Sequence, residues 1–187
     1  MLDASLKEEL GPMKTELYHA YLAAWCFKRK IENLSHRLET ETREFLLEEL
    51  TSLRALANEI VLRLCSLDDD KSRYSFHAAN KVLGQRSAVD PAMKTKLAKA
   101  VTKYRKTIGT LKTQHRNRYI AHLSGDHYPD PFLVTEMVEG LSGPLAAALD
   151  LISLIWGAKQ SFGFHLGSRD RTIDFVTEIA TERKAKS

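Results

Sequence analysis

His122 follows Arg116 by six positions in the stretch Arg116-Asn117-Arg118-Tyr119-Ile120-Ala121-His122. These are residue types that handle phosphate esters. An imidazole with an ordinary pKa of about 6.5 takes or gives a proton near neutral pH. A guanidinium presents a fixed, permanently charged fork that matches two phosphate oxygens and can stabilise negative charge developing at phosphorus. Asn117 adds an amide that could orient either the phosphate or the imidazole. Neighbouring Lys112 and Arg118 are suited to flanking phosphates. A histidine near a helix end also has a plainer use, as a cation facing the helix C-terminus, so the spacing alone does not decide between the two roles. Arg29 and His36 show a comparable spacing, but Lys30 replaces the polar second residue and the surrounding pattern is that of an ordinary buried helix.

The segment stands at the end of an unusual element. Between Pro91 and His122 lie Lys94, Lys96, Lys99, Lys103, Arg105, Lys106, Lys112, Arg116 and Arg118, with no acidic residue. The whole chain carries a formal charge of +4, so the rest of the molecule is net acidic. A cationic helix on an acidic body is the distribution expected of a surface that binds a polyanion; a solvated helix face is the competing reading. Along the same helix the apolar residues Leu97, Val101, Tyr104, Ile108 and Leu111 keep a three-four rhythm, which continues onto His115, Arg118 and His122. Polar groups thus take positions where a core would want leucine, which points to a cleft or a subunit interface.

The remaining elements read as helices. The spacing predicts helices over about 12–34, with Trp25 as a core anchor, over 40–67, over 75–83 capped by Ser75, and from an Asp90-Pro91 start. Ser124 to Pro131 is turn chemistry. A further helix is expected over 132–159, bent at Gly143-Pro144 and carrying Trp156 as a second core anchor. A loop over 157–168 and a last helix over 171–182 follow, with 184–187 disordered. No period-two strand pattern competes. The expectation is an all-α bundle of about five to six helices forming one domain, with its core over about 12–182. Asp68, Asp69 and Asp70 lack the ligand spacing of a calcium loop and read as a solvated helix exit.

Composition is that of an ordinary globular chain, with 43% hydrophobic and 28% charged residues. Cys26 and Cys65 fall within apolar helical patterns, as small hydrophobes do, so the expected compartment is reducing and cytoplasmic. The acidic first ten residues do not read as an export signal, and no run of about 20 unbroken apolar residues offers a membrane span. Nothing in the residue pattern calls for a metal or an organic cofactor.

Taken with its setting, Arg116 to His122 resembles the signature of the HEPN superfamily: an arginine followed by a polar residue, then a histidine a few positions on. Ile60-Val61-Leu62-Arg63-Leu64-Cys65-Ser66-Leu67-Asp68, then Ser75-Phe76 and Lys81-Val82-Leu83, resemble the branch associated with bacterial abortive-infection proteins. In that branch a helix ending in an Arg-Leu-x-x-Asp-like stretch precedes a short helix and the motif-bearing one. The likeness spans roughly 17–154. It implies a HEPN-like helical bundle, a homodimer with the motif at its interface, and RNA cleavage without metal. In that setting Arg116, Asn117 and His122 are the expected catalytic residues. Lys103, Lys106, Lys112, His115, Arg118 and Tyr119 are expected to bind RNA. A toxin or anti-phage effector is implied, with an antitoxin or defence-system partner; a non-catalytic module that binds RNA or nucleotide is the alternative. Where HEPN toxins controlled by a nucleotidyltransferase antitoxin carry a tyrosine two residues after the histidine, this chain has Ser124, so the likeness does not extend to regulation by tyrosine modification.

Geometry adds a condition. Six residues at about 100° each put Arg116 and His122 about 120° apart on a regular helix, whereas Arg118 and His122 share a face. Either the helix is distorted or a second chain completes the constellation, as in the dimers the resemblance implies.

Overall fold

The computed structural model describes residues 3–37, 40–113, 134–165 and 172–180, leaving aside the side chains of Ser35 and of 134–139. Among the described residues there are six α-helices and one two-stranded ribbon. The all-α reading holds in its main line, with a small β addition.

Helix α1 spans Ala4–Arg37. It begins eight residues before Pro12, not at it, because the Asp3 carboxylate accepts the Leu6 N–H at 2.8 Å and starts the helix there. Pro12 costs its helix one hydrogen bond, about 3 kcal/mol. Burial of Leu6 and Leu10 in the turns before it, at roughly 1.5–3 kcal/mol each, offsets that cost.

Helix α2, Arg43–Ser66, starts at Thr42, whose hydroxyl accepts the Phe45 N–H at 3.2 Å. Two ion pairs join it to α1: Lys30 to Glu49 and Arg63 to Glu16, each at 2.8 Å. Because the later residue of α1 meets the earlier residue of α2, the helices run antiparallel. Leu53, Ala57, Ile60, Val61, Leu64 and Cys65 are buried along the seam.

Helix α3, Phe76–Gln85, follows a tight connection in which the Phe76 N–H donates to the Leu67 carbonyl at 2.8 Å. Ser75 caps it, as its position predicts, by accepting the Ala78 N–H at 3.3 Å. Helix α4, Pro91–Thr110, is capped by Asp90 with Pro91 in the first turn. Its expected core stripe of Leu97, Val101, Tyr104, Ile108 and Leu111 is buried throughout.

Helix α5, Val134–Trp156, runs through Pro144 without a break. It ends where Gly157 takes φ +67°. The Gly157 and Ala158 N–H groups return to the carbonyls of Leu154 and Ser153, a Schellman ending that only glycine adopts without strain. Trp25 and Trp156 pack against the core rather than within it.

Two expectations for the C-terminal part are corrected. Within the region read as a loop, β1, Gly163–His165, pairs antiparallel with β2, Thr172–Asp174, so the last helix, α6, starts at Phe175 and is described to Ala180. Three-residue strands are too short to show a period-two pattern. What holds the ribbon lies at its base: Phe175 N–H donates to the Phe162 carbonyl at 2.9 Å, and both rings are buried against Tyr18, Tyr21 and Trp25 of α1. The expected turn over 124–131 and the tail after 180 lie outside the described residues. No described helix is long and apolar enough to cross a membrane.

Candidate active site and its basic helix

Arg116, Asn117, His122, His115, Arg118 and Tyr119 lie outside the described residues, and with them the polar continuation of the α4 stripe. The structure describes the approach to that segment: α4, the turn 111–113 that follows it, and the elements on which both are seated. This turn is wound in the wider π form, a form rare in helices and often found beside functional sites.

At about 100° per residue the cations of α4 fall into two groups. Lys96, Lys99, Lys103 and Lys106 occupy an arc of about 80° on the side turned away from the buried stripe. All four are exposed, and none has a hydrogen bond or ion pair among the described residues. Lys94, Arg105 and Lys112 lie within about 20° of one another on the flank of the buried stripe, and each has a partner. Lys94 Nζ donates to the Gly84 carbonyl at 2.8 Å, helping to close the end of α3. Arg105 and Lys112 reach Asp68.

Asp68 is the finding that overturns the reading of a solvated acidic exit. Asp70 is exposed and Asp69 half-buried, but Asp68 is fully buried, with 0% exposure. Its Oδ1 lies 2.8 Å from His77 Nε2 and 3.1 Å from Arg105 Nε, and its Oδ2 lies 2.9 Å from Lys112 Nζ. Burial works to raise the pKa of this carboxyl. The hydrogen bonds from Lys112, His77 and Arg105 more than offset it and hold the value below the usual carboxylate range. An ionised carboxylate only accepts, so His77 donates from Nε2. Around this centre Asp70 Oδ1 accepts from Arg105 Nη2 at 2.6 Å and stands 3.5 Å from His77 Nδ1. Asp70, ahead of Asp68, raises the Arg105 pKa further.

The seat beneath the cluster is apolar and rigid. Tyr104, completely buried, donates its hydroxyl to the Leu64 carbonyl at 2.8 Å and meets Phe76 edge to face at 4.8 Å between ring centres. Burial pushes its phenol well above the normal range, with Cys65 and Asp68 adding to the effect. The sequence held a signal for Asp68 after all: it sits four residues after Leu64 and seven after Val61, on the buried stripe.

Of the expected phosphate-binding residues, Lys103 and Lys106 are exposed on the outer face and have no partner among the described residues. Lys112 is engaged by Asp68, and a phosphate would have to compete with that carboxylate. Among the described residues no group of three or more His, Cys, Asp or Glu is arranged to hold a metal ion. Comparison with family models, with curated proteins and with solved structures found no match for this chain.

Proposed function

We propose that this chain is a metal-independent endoribonuclease of the HEPN type, working as a cytoplasmic homodimer and serving as a toxin or anti-phage effector. The observation that carries the reading is the line of four lysines, unpartnered among the described residues, on the outer face of the helix that leads directly into Arg116-Asn117 and His122. Among the described residues these lysines have nothing to bind. Extended nucleic-acid backbone supplies what they lack, a row of phosphates spaced along one direction.

In the proposed reaction one of the two groups, His122, takes the proton of a ribose 2′-OH, whose oxygen attacks the adjacent phosphorus. Arg116 stabilises the charge gathering on the phosphoryl oxygens, with Asn117 orienting the phosphate. The P–O5′ bond breaks, the departing oxygen takes a proton from water, the proton held by His122 returns to solvent, and the products carry a 2′,3′-cyclic phosphate and a 5′-OH. Arg118, His115 and Tyr119 would line the RNA path with Lys103 and Lys106. The alternative, a module that binds RNA or nucleotide without cutting it, rests on the same lysines.

One experiment separates the two. Purified protein is incubated with labelled RNA in EDTA, alongside His122→Ala. Cleavage ending in 2′,3′-cyclic phosphate, lost in the variant while RNA binding persists, is the expected result. Binding with no cleavage by the unmodified protein leaves the binding module standing, and cleavage that survives in His122→Ala removes the histidine from the chemistry.

A further inference from the structure

Asp68 has no reason to be buried for the sake of the core. Its position on the α2 stripe would suit a leucine, and burying a carboxylate costs several kcal/mol unless it is paired. What the burial accomplishes is a junction. The carboxylate lies at the end of α2, takes one donor from α3 through His77, and two from the α4 side through Arg105 and Lys112. Arg105 and Lys112 are seven residues apart, so they project to nearly the same side two turns apart. Held at both points, the end of α4 is fixed in height and in rotation, where a single contact would let it turn. The upper point falls within the π-wound turn 111–113, a geometry rare in helices. Arg116 follows Lys112 by four residues.

We infer that Asp68 is a positioning residue: gripping Arg105 and Lys112, it sets the rotation and exit point of the helix end from which the Arg116 to His122 segment continues. The inference rests on the function proposed above for that segment, although the grip itself does not. Asp68 acts through Lys112 and Arg105 and touches no substrate. Asp70 and His77 are its outer supports, since Asp70 holds the far side of the Arg105 fork and His77 fills the remaining side of the carboxylate. Tyr104 on Leu64 and Phe76 on Leu67 keep the carbonyl frame beneath it in place.

The test uses hydrogen exchange and cleavage together on the full chain. Asp68→Asn preserves shape and removes the charge; Lys112→Gln removes the upper grip from a half-exposed position that tolerates the change. Leu53→Ala serves as a control, because Leu53 is buried on α2 about 22 Å along the helix from Asp68 and its loss destabilises without touching the grip. The expected result is that Asp68→Asn and Lys112→Gln each raise exchange of amides 108–123 at least tenfold over the control at matched stability. Cleavage turnover falls at least tenfold in both, RNA affinity of Asp68→Asn changes less than twofold, and the double variant turns over no more slowly than the more damaged single one. Lys112→Arg keeps a donor at that place and recovers most of the loss. Exchange that rises evenly along the chain, or turnover that follows stability alone across all variants, would overturn the inference. If Asp68→Asn does not fold, Lys112→Gln against Lys112→Arg carries the same comparison. If the unmodified protein cuts no RNA, the proposed function fails while the exchange measurement still decides whether Asp68 holds the helix end.

Discussion

The two sides of α4 carry the same kind of residue in opposite circumstances. On the inner flank Lys94, Arg105 and Lys112 are each bound to an oxygen of the fold itself; on the outer face Lys96, Lys99, Lys103 and Lys106 are bound to nothing described. A count of charges cannot separate them. Some of the positive charge that makes this helix conspicuous is consumed by a buried carboxylate and a helix end, and only the remainder is available to a partner. Cations spent inside should govern stability and the placing of the helix end; cations left outside should govern salt-dependent binding.

The largest effect belongs to the inner side. Asp68→Ala leaves Arg105, Lys112 and His77 facing one another around a void. Removing one member of a buried charged group costs about 3–5 kcal/mol, and because Arg105 and Lys112 are 44% and 30% exposed and can turn to water, about 3 kcal/mol is expected. Urea unfolding measures it, and a loss below about 1 kcal/mol would mean that the cluster holds nothing. Acid gives an independent check. The folded-state pKa of Asp68 is depressed, so its contribution is present above the unfolded carboxylate value of about 3.9 and fades as pH falls through the lower folded value. The stability gap between the unmodified chain and Asp68→Asn should therefore close as pH falls below about 4.

These comparisons also mark what the residue pattern gave away. Ser75 and Asp90 were readable as caps because a small polar side chain before an apolar run has one favourable use, the first free N–H groups of a helix. The α4 stripe was readable because five apolar residues kept helical spacing across four turns. Asp68 was misread by its company: three consecutive aspartates look like solvent, and the one on the buried stripe was averaged with two that are not. The start of α1 was hidden by Pro12, whose cost is met by Leu6 and Leu10, a balance decided by tertiary contacts. The ribbon at 163–165 and 172–174 depends on Phe162 and Phe175 finding α1, far away in sequence. The expected site, Arg116 to His122, lies outside the described residues and rests on its motif.

A smaller effect is expected where the seat is capped. Ser75 is buried, accepts the Ala78 N–H and donates to the Ser72 carbonyl at 2.9 Å. Ser75→Ala removes a helix cap at a cost of about 1–2 kcal/mol, while Ser75→Asp, which can still accept, should recover part of it. Thermal unfolding of the two variants checks the order, and equal stability of both with the parent would show that α3 is held by its packing alone.

The smallest effect on stability, and the sharpest on binding, belongs to the outer lysines. Lys103→Gln and Lys106→Gln remove charges that touch nothing described, so unfolding free energy should move by less than about 0.5 kcal/mol. Binding is another matter, because each lysine that neutralises a phosphate releases condensed counterions. For single-stranded RNA, log K should fall against log salt with a slope of about −0.7 per contacted phosphate, or about −2.8 if all four lysines of the face take part. Each substitution should then flatten the slope by about 0.7, and the double variant by about 1.4, with little dependence on RNA sequence because phosphate contacts carry none. Lys94→Gln is the matched control: it removes the same charge from the same helix, but from a lysine already bound to Gly84, and it should leave the slope nearly unchanged while lowering stability slightly. If Lys94→Gln flattens the slope as much as Lys103→Gln does, RNA is responding to the overall charge of the helix and the division between its two faces has no bearing on binding. If none of the three alters the slope, the outer lysines form a solvated face, and the RNA path runs elsewhere.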